Sequence, residues 1–188
     1  TGTTSVAYKG MGLGRHIQLT LDDVDAIKQQ IPGVRFIAAE NQRNNIALIY
    51  EQKNANFAVL GVPDEYFDVK ESIPFNLGRK LNPLDQRELR KITVIGSVVA
   101  ERLFGKDANP VNKDIRVNGV MMKVVGVFYD KGNRGRDSER IYIPQPTFQK
   151  MFGESNRIGS IWLRPQAGVD GFELEKKVID LLQRRHSV

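Results

Sequence analysis

Most metal sites and activated nucleophiles are built from histidine and cysteine, and this sequence of 188 residues has two histidines and no cysteine. His16 and His186 lie near opposite ends, so they do not form a helical metal pair, whose ligands stand one turn apart. Both are expected at the solvent. Without cysteine there can be no disulfide framework, thiolate nucleophile or Cys-based zinc site, and the redox compartment stays open. Asp22, Asp23 and Asp25 could ligate a hard cation, but a first helical turn collects acids because the helix dipole favours negative charge there. Gly105-Lys106 is followed by Asp107 and lacks an upstream glycine at phosphate-loop spacing, and Gly10-Met11-Gly12-Leu13-Gly14 has no strand before it to make a dinucleotide fingerprint. Ser97 sits at a strand-to-helix turn without the second glycine of a nucleophile elbow, and reads as a helix cap. A hydrolase working through a pair of acids would have only unlocated carboxylates to draw on. No catalytic, cofactor-binding or metal-ligating residue is assigned.

The remaining candidate is a contact site. The segment Lys131-Gly132-Asn133-Arg134-Gly135-Arg136 concentrates cations among glycines, and the chain carries a net charge of +6. Lys131, Asn133, Arg134 and Arg136 are therefore the candidate partner-contact residues, against the plainer reading of a solvated loop tip. A basic surface attracts nucleic acid, anionic membranes and acidic proteins through the same field, so a basic nucleic-acid-binding module is the alternative reading. Phe128 and Tyr129 beside the loop are too few for a base-stacking platform.

The elements that must position this loop follow from pattern. Thr20-Leu21-Asp22-Asp23 opens a helix that Ile31-Pro32-Gly33 stops. Strands are expected at residues 34–40, 46–51 and 57–62, with turns at Asn41–Asn45 and Lys53–Asn56, and a short helical turn at residues 63–67. Ile92–Gly96 reads as a buried strand leading into a helix that ends at Gly105, and Asn118-Gly119 reads as a two-residue hairpin turn. A strand at residues 140–143, a short helix up to Phe152 and a strand around Trp162 follow. The closing helix, about residues 170–185, turns Phe172, Val178, Ile179, Leu181 and Leu182 toward a core. Strands and helices do not alternate regularly, so the fold class is α+β. With 40% apolar and 27% charged residues the chain can bury a core, and it contains no run of the ~20 apolar residues a bilayer-spanning helix needs.

The order of motifs resembles the MacB-like periplasmic core domain of ABC transporter permeases, within the FtsX/MacB-type mechanotransmitting family. The matching pieces are residues 19–27 leading to Ile31-Pro32-Gly33-Val34, then Gly61-Val62-Pro63-Asp64-Glu65-Tyr66-Phe67, Leu77-Gly78-Arg79 with Asp85, and Val94-Ile95-Gly96 through Leu103-Phe104-Gly105. They continue with Asn109-Pro110-Val111-Asn112-Lys113, Val124-Val125-Gly126-Val127, Ile141-Tyr142-Ile143-Pro144, Leu181-Leu182 and Arg184-Arg185-His186. Asn112 departs from a pattern that often has glycine there. The resemblance implies two lobes of mixed sheets with packed helices. Residues 1–14 would be a flexible leader, residues 15–63 plus 155–188 a discontinuous porter-like βαβ lobe, and residues 64–154 an inserted second lobe. It further implies an inner-membrane protein with this part on the periplasmic side, no enzymatic activity, and no cofactor. The implied partners are a cytoplasmic ATPase acting through the membrane helices, a periplasmic adaptor and a second permease copy, and no nucleic acid.

Overall fold

The computed structural model of the chain describes residues 6–8, 18–70 and 73–186. His16 and the glycines at 10, 12 and 14 lie outside them. Strand β2 (Leu19–Thr20) runs into helix α1 (Leu21–Gln30), where the Asp23 carboxylate accepts the Thr20 N–H at 2.9 Å and satisfies one of the donors a helix start leaves free. Val24, Ala26 and Ile27 of α1 pack against Leu174, Val178, Leu181 and Leu182 of the last helix, α6 (Gly171–Arg185), and against Ile37, Ile161 and Leu163 from two strands beneath. Every buried member of this first core comes from residues 19–39 or 158–182. Phe172, expected in that core, is instead 84% exposed. It lies about 200° around the helix from Leu174, which takes the inward position.

The meander expected at residues 34–62 is two long strands, β3 (Val34–Tyr50) and β4 (Lys53–Val62). Asn41–Asn45, expected as a turn, lies inside β3. Arg43 pairs with Val59 and Ile46 with Phe57, so β3 holds one extra residue, and Asn45 absorbs it at φ 56°. Residues with turn chemistry thus make a β-bulge. The chain reverses at Glu51-Gln52 instead of at Lys53–Asn56.

Two hairpin strands, β7 (Asp114–Val117) and β8 (Val120–Phe128), flank Asn118 and Gly119, both at positive φ as a two-residue turn requires. With β6 (Ile92–Gly96) and β9 (Arg140–Pro144) they complete a ring. β3 pairs β4, β4 pairs β9, β9 pairs β6, β6 pairs β8, β8 pairs β7, and β7 returns to β3 at Leu48 and Ile49. This closed six-stranded barrel removes the exposed edges an open mixed sheet would leave. Leu48, Val59, Ile95, Ile115, Val117, Met122, Val124, Ile141 and Ile143 fill its core. Val99 and Leu103 of α4 (Ser97–Phe104) and Phe148 of α5 (Gln145–Phe152) pack against them. Ser97 is not the cap of α4: Gly96 occupies that position, and a β-carbon there would lie 2.1 Å from the Ser138 carbonyl oxygen.

A third core joins the two. Tyr66, Phe67 and Val69 of α2 (Tyr66–Val69), Leu81, Phe128 and Tyr142 are buried with Ala38 of β3. Phe75 of β5 (Phe75–Gly78) and Trp162 of β11 (Ser160–Pro165) pack against them. Helix α3 (Pro83–Arg87) is capped by Asn82, and its buried Asp85 is held by Arg79 at 2.7 Å and Arg90 at 3.4 Å. Strand β10 (Arg157–Ile158) pairs with β2. Strand β1 (Val6–Tyr8), within the segment expected as a leader, pairs antiparallel with β11. β3 therefore belongs to both bodies. Its residues 34–40 pair with β11, and its residues 41–50 pair with β4 inside the barrel. The described residues contain no helix long and apolar enough to cross a membrane.

Candidate partner-contact site

β8 delivers the chain past Phe128 to the basic loop, and β9 carries it away. Its base is fastened by two residues. The Asp130 N–H donates to Ser138 Oγ at 2.8 Å, that hydroxyl donates back to the Asp130 carbonyl at 2.9 Å, and Asp130 Oδ1 accepts the Gly132 N–H at 2.8 Å. Between these anchors the chain turns tightly across a kink, where Asn133, Arg134 and Gly135 all take positive, non-helical φ, at 53°, 60° and 84°. Asparagine and glycine accept that region readily, whereas arginine does so with strain. The turn leaves Lys131, Asn133, Arg134 and Arg136 exposed on one short loop, so the four candidate residues are neighbours at the surface. Arg140 donates to Asp137 at 2.7 Å, which spends the loop's own acid on the strand and leaves the tip cationic.

Beneath the loop lies a buried polar group of residues too scattered in sequence to be read together. Lys70 Nζ sits 4.0 Å from Asp130 Oδ2, 4.9 Å from the centre of the Trp162 ring and 5.5 Å from that of Tyr66. Glu40, on β3 where the strand passes from one body to the other, is 6% exposed. Burial pushes its carboxyl above the ordinary glutamate range, although Tyr66, Lys70, Arg140 and Trp162 all face it and favour the charged form. Burial likewise raises the Tyr66 hydroxyl well above its usual value and pushes Tyr142 up to about 12. Glu40 Oε2, the two tyrosine hydroxyls and the Trp162 N–H are close but reach no partner at full hydrogen-bonding geometry among the described residues. Nothing here resembles a nucleophile with its base.

A second ionic group was also invisible in sequence. Asp23, read as a dipole acid, is fully buried, and Arg185 Nε lies 2.9 Å from it while His186 Nε2 lies 3.0 Å from both its oxygens. His186 is therefore not the free terminal imidazole expected. Burial works against the Asp23 charge, but Arg185, the Thr20 N–H and His186 outweigh it and hold the pKa below the usual carboxylate range. The two ends of the first body are thus clasped together. Among the described residues no three His, Cys, Asp or Glu side chains are placed to hold a metal ion.

Comparison with known proteins agrees with this architecture. Over 178 residues the chain is 31% identical to the macrolide export ATP-binding/permease protein MacB of Bdellovibrio bacteriovorus, covering 93% of this chain and 27% of the relative. It is 28% identical to the protein of that description from Chlorobaculum tepidum, over 100% of this chain and 29% of the relative. The chain thus spans less than a third of these relatives' length. The crystal structure of the periplasmic region of MacB from Actinobacillus actinomycetemcomitans superposes with a TM-score of 0.82 at 25% identity, covering 97% of this chain and 84% of that one. The extracellular domain of the noncanonic ABC-type transporter YknZ from Gram-positive bacteria gives 0.77 at 22% identity, covering 91% and 86%, and shares the fold. The model of the MacB-like periplasmic core domain matches residues 2–181, the stretch that holds the barrel and all but the last turn of the closing helix, and the chain belongs to that family of ABC transporter permease domains.

Proposed function

We propose that this domain relays ATPase-driven conformational change on the extracytoplasmic side of a permease and makes the contact with an adaptor or cargo for export. The observation that supports the relay is the clasp: Asp23 near the start of the described chain is bound to Arg185 and His186 at its end. Membrane helices attached on either side would pull on one fastened body, and β3, shared by both cores, would carry the displacement into the barrel as a rigid strut. In this reading residues 15–63 plus 155–188 act as the membrane-proximal lobe and residues 64–154 as the inserted lobe, with β3 and β4 bridging them. The ATPase, on the same chain or a separate one, works through the membrane helices, and two permease copies act as a pair. The domain performs no catalysis of its own and takes no cofactor.

The Lys131–Arg136 loop is the proposed contact. Its cations suit an acidic surface on the adaptor, where they would act mainly on encounter and register. In the full transporter, Arg134→Glu combined with Arg136→Glu is expected to lower adaptor co-purification and export by about tenfold while leaving ATPase activity intact. Wild-type export and co-purification in that variant would refute the loop's role. A mobility shift with nucleic acid at low salt, lost in the same variant, would favour the alternative reading.

A further inference from the structure

A groove of about 240 Å³ runs between the chain leaving α3 and one face of α5, lined by Leu89, Lys91, Val120, Thr147, Lys150 and Met151, of which Thr147 is buried and Val120 and Met151 are half-buried against the barrel core. It lies at the N-terminal ends of β6 and β8, which run parallel. The 131–136 loop follows their C-terminal ends, so the groove is a separate surface at the other end of the barrel.

Three observations bear on its use. Leu89 is 42% exposed and stands at φ 47°, just past the end of α3. That position is ordinarily glycine, because a side chain in the left-handed region clashes with its own backbone. The chain is nevertheless held there, by Leu89 N–H to the Gln86 carbonyl, Arg90 N–H to the Asp85 carbonyl, and the Thr147 hydroxyl to the Arg90 carbonyl at 3.0 Å. Strain that keeps a large apolar side chain at the surface is the kind found at ligand clamps. Thr147, Lys150 and Met151 are spaced three and four apart, so one face of α5 forms the opposite wall. Lys91 and Lys150 stand on the two walls, and among the described residues neither is in an ion pair, whereas the nearby Arg90 is occupied by Asp85 and Glu88.

We propose that this groove docks an acidic amphipathic helix of a protein partner, with aliphatic side chains over Leu89, Val120 and Met151 and carboxylates reaching Lys91 and Lys150. Such a helix supplies apolar groups at i, i+3/i+4 and i+7, and an aliphatic floor between two ammonium groups matches that pattern. The inference goes beyond the proposed relay and does not use the basic loop.

The test measures fluorescence anisotropy of the chain with a labelled synthetic peptide carrying leucines at that spacing and glutamates flanking them. A second peptide carries lysine in place of each glutamate. The acidic peptide is expected to bind at least about tenfold more tightly than the lysine peptide. Leu89→Gly is expected to weaken it by about tenfold without lowering Tm, and Lys91→Glu with Lys150→Glu to abolish the preference. Equal binding of the two peptides, no binding, or full binding by the Leu89→Gly variant overturns the proposal. So does concentration-dependent self-association that Leu89→Gly removes, which would assign the groove to a second copy, or flotation with anionic vesicles that needs the two lysines. The Arg134 and Arg136 reversal should leave peptide binding unchanged, which separates a failure here from a failure of the loop reading.

Discussion

Asp23 and Glu40 are both buried acids on the same body, and their environments push them in opposite directions. Asp23 sits at a helix start with a backbone donor, a guanidinium and an imidazole on it, and its carboxyl is held below the ordinary range. Glu40 sits on a strand at the seam between cores, faced by tyrosines, an indole and two cations but with Oε2 left without a full hydrogen bond, and burial raises it. The difference lies in completeness. A buried charge stabilises a fold only when its lone pairs are satisfied, and otherwise its desolvation dominates. The first site is therefore a fastening, and the second a place where the fold carries a cost.

The largest effect expected from this contrast is at the clasp. Asp23→Ala strips Arg185, His186 and the Thr20 N–H of their shared acceptor and should lower unfolding free energy in urea by about 3 kcal/mol. Because the folded pKa is depressed, the stabilisation is fully present above the ordinary aspartate range and is lost as pH falls through the folded value. Wild type should thus lose stability steeply in acid and the variant much less. A cost below about 0.5 kcal/mol would mean that the ends are not fastened there.

At Glu40 the sign reverses. With the folded pKa raised, the native state holds its proton longer than the unfolded chain does, so stability falls as pH rises from the ordinary glutamate range through the folded value. Glu40→Gln should flatten that slope and, above it, raise stability by about 1 kcal/mol in a pH series of urea melts. Uniform destabilisation by glutamine at every pH would show that Lys70 and Arg140 already compensate the charge.

The contrast also shows what the sequence could and could not reveal. Local signals were legible: the Thr20 helix start, the Asn118-Gly119 hairpin and the Ile92–Gly96 strand all depend on residues within a few positions. So was the α+β class, together with the family, because ordered motifs spread along most of the chain. The Asn41–Asn45 bulge was misread as a turn because asparagine serves both, and only the pairing with β4 decides. Asp23 meeting His186, or Glu40 meeting Tyr66 and Trp162, depends on separations that no periodicity encodes. The barrel closes through a contact as brief as two residue pairs, Leu48 with Val117 and Ile49 with Arg116. Phe172 was placed inward by composition when helical phase turned it out.

The smallest effect concerns the basic loop, where strain and charge can be separated. Arg134 holds φ 60° between Asn133 and Gly135. Glycine there removes the side chain's clash with its own backbone but restores freedom to the unfolded chain, so Arg134→Gly should raise stability by no more than about 1 kcal/mol. The loop's shape, fixed at its base by Asp130 and Ser138, should survive the change. If the loop is a contact site, that gain in stability will accompany a loss of adaptor binding, because the cation at the crest has gone while the turn remains. Arg134→Lys should do the reverse, keeping the charge and the strained backbone and hence much of the binding. Equal binding by the glycine and lysine variants would mean that the loop presents a backbone surface to its partner, and that the cations read from the sequence serve only to keep it solvated.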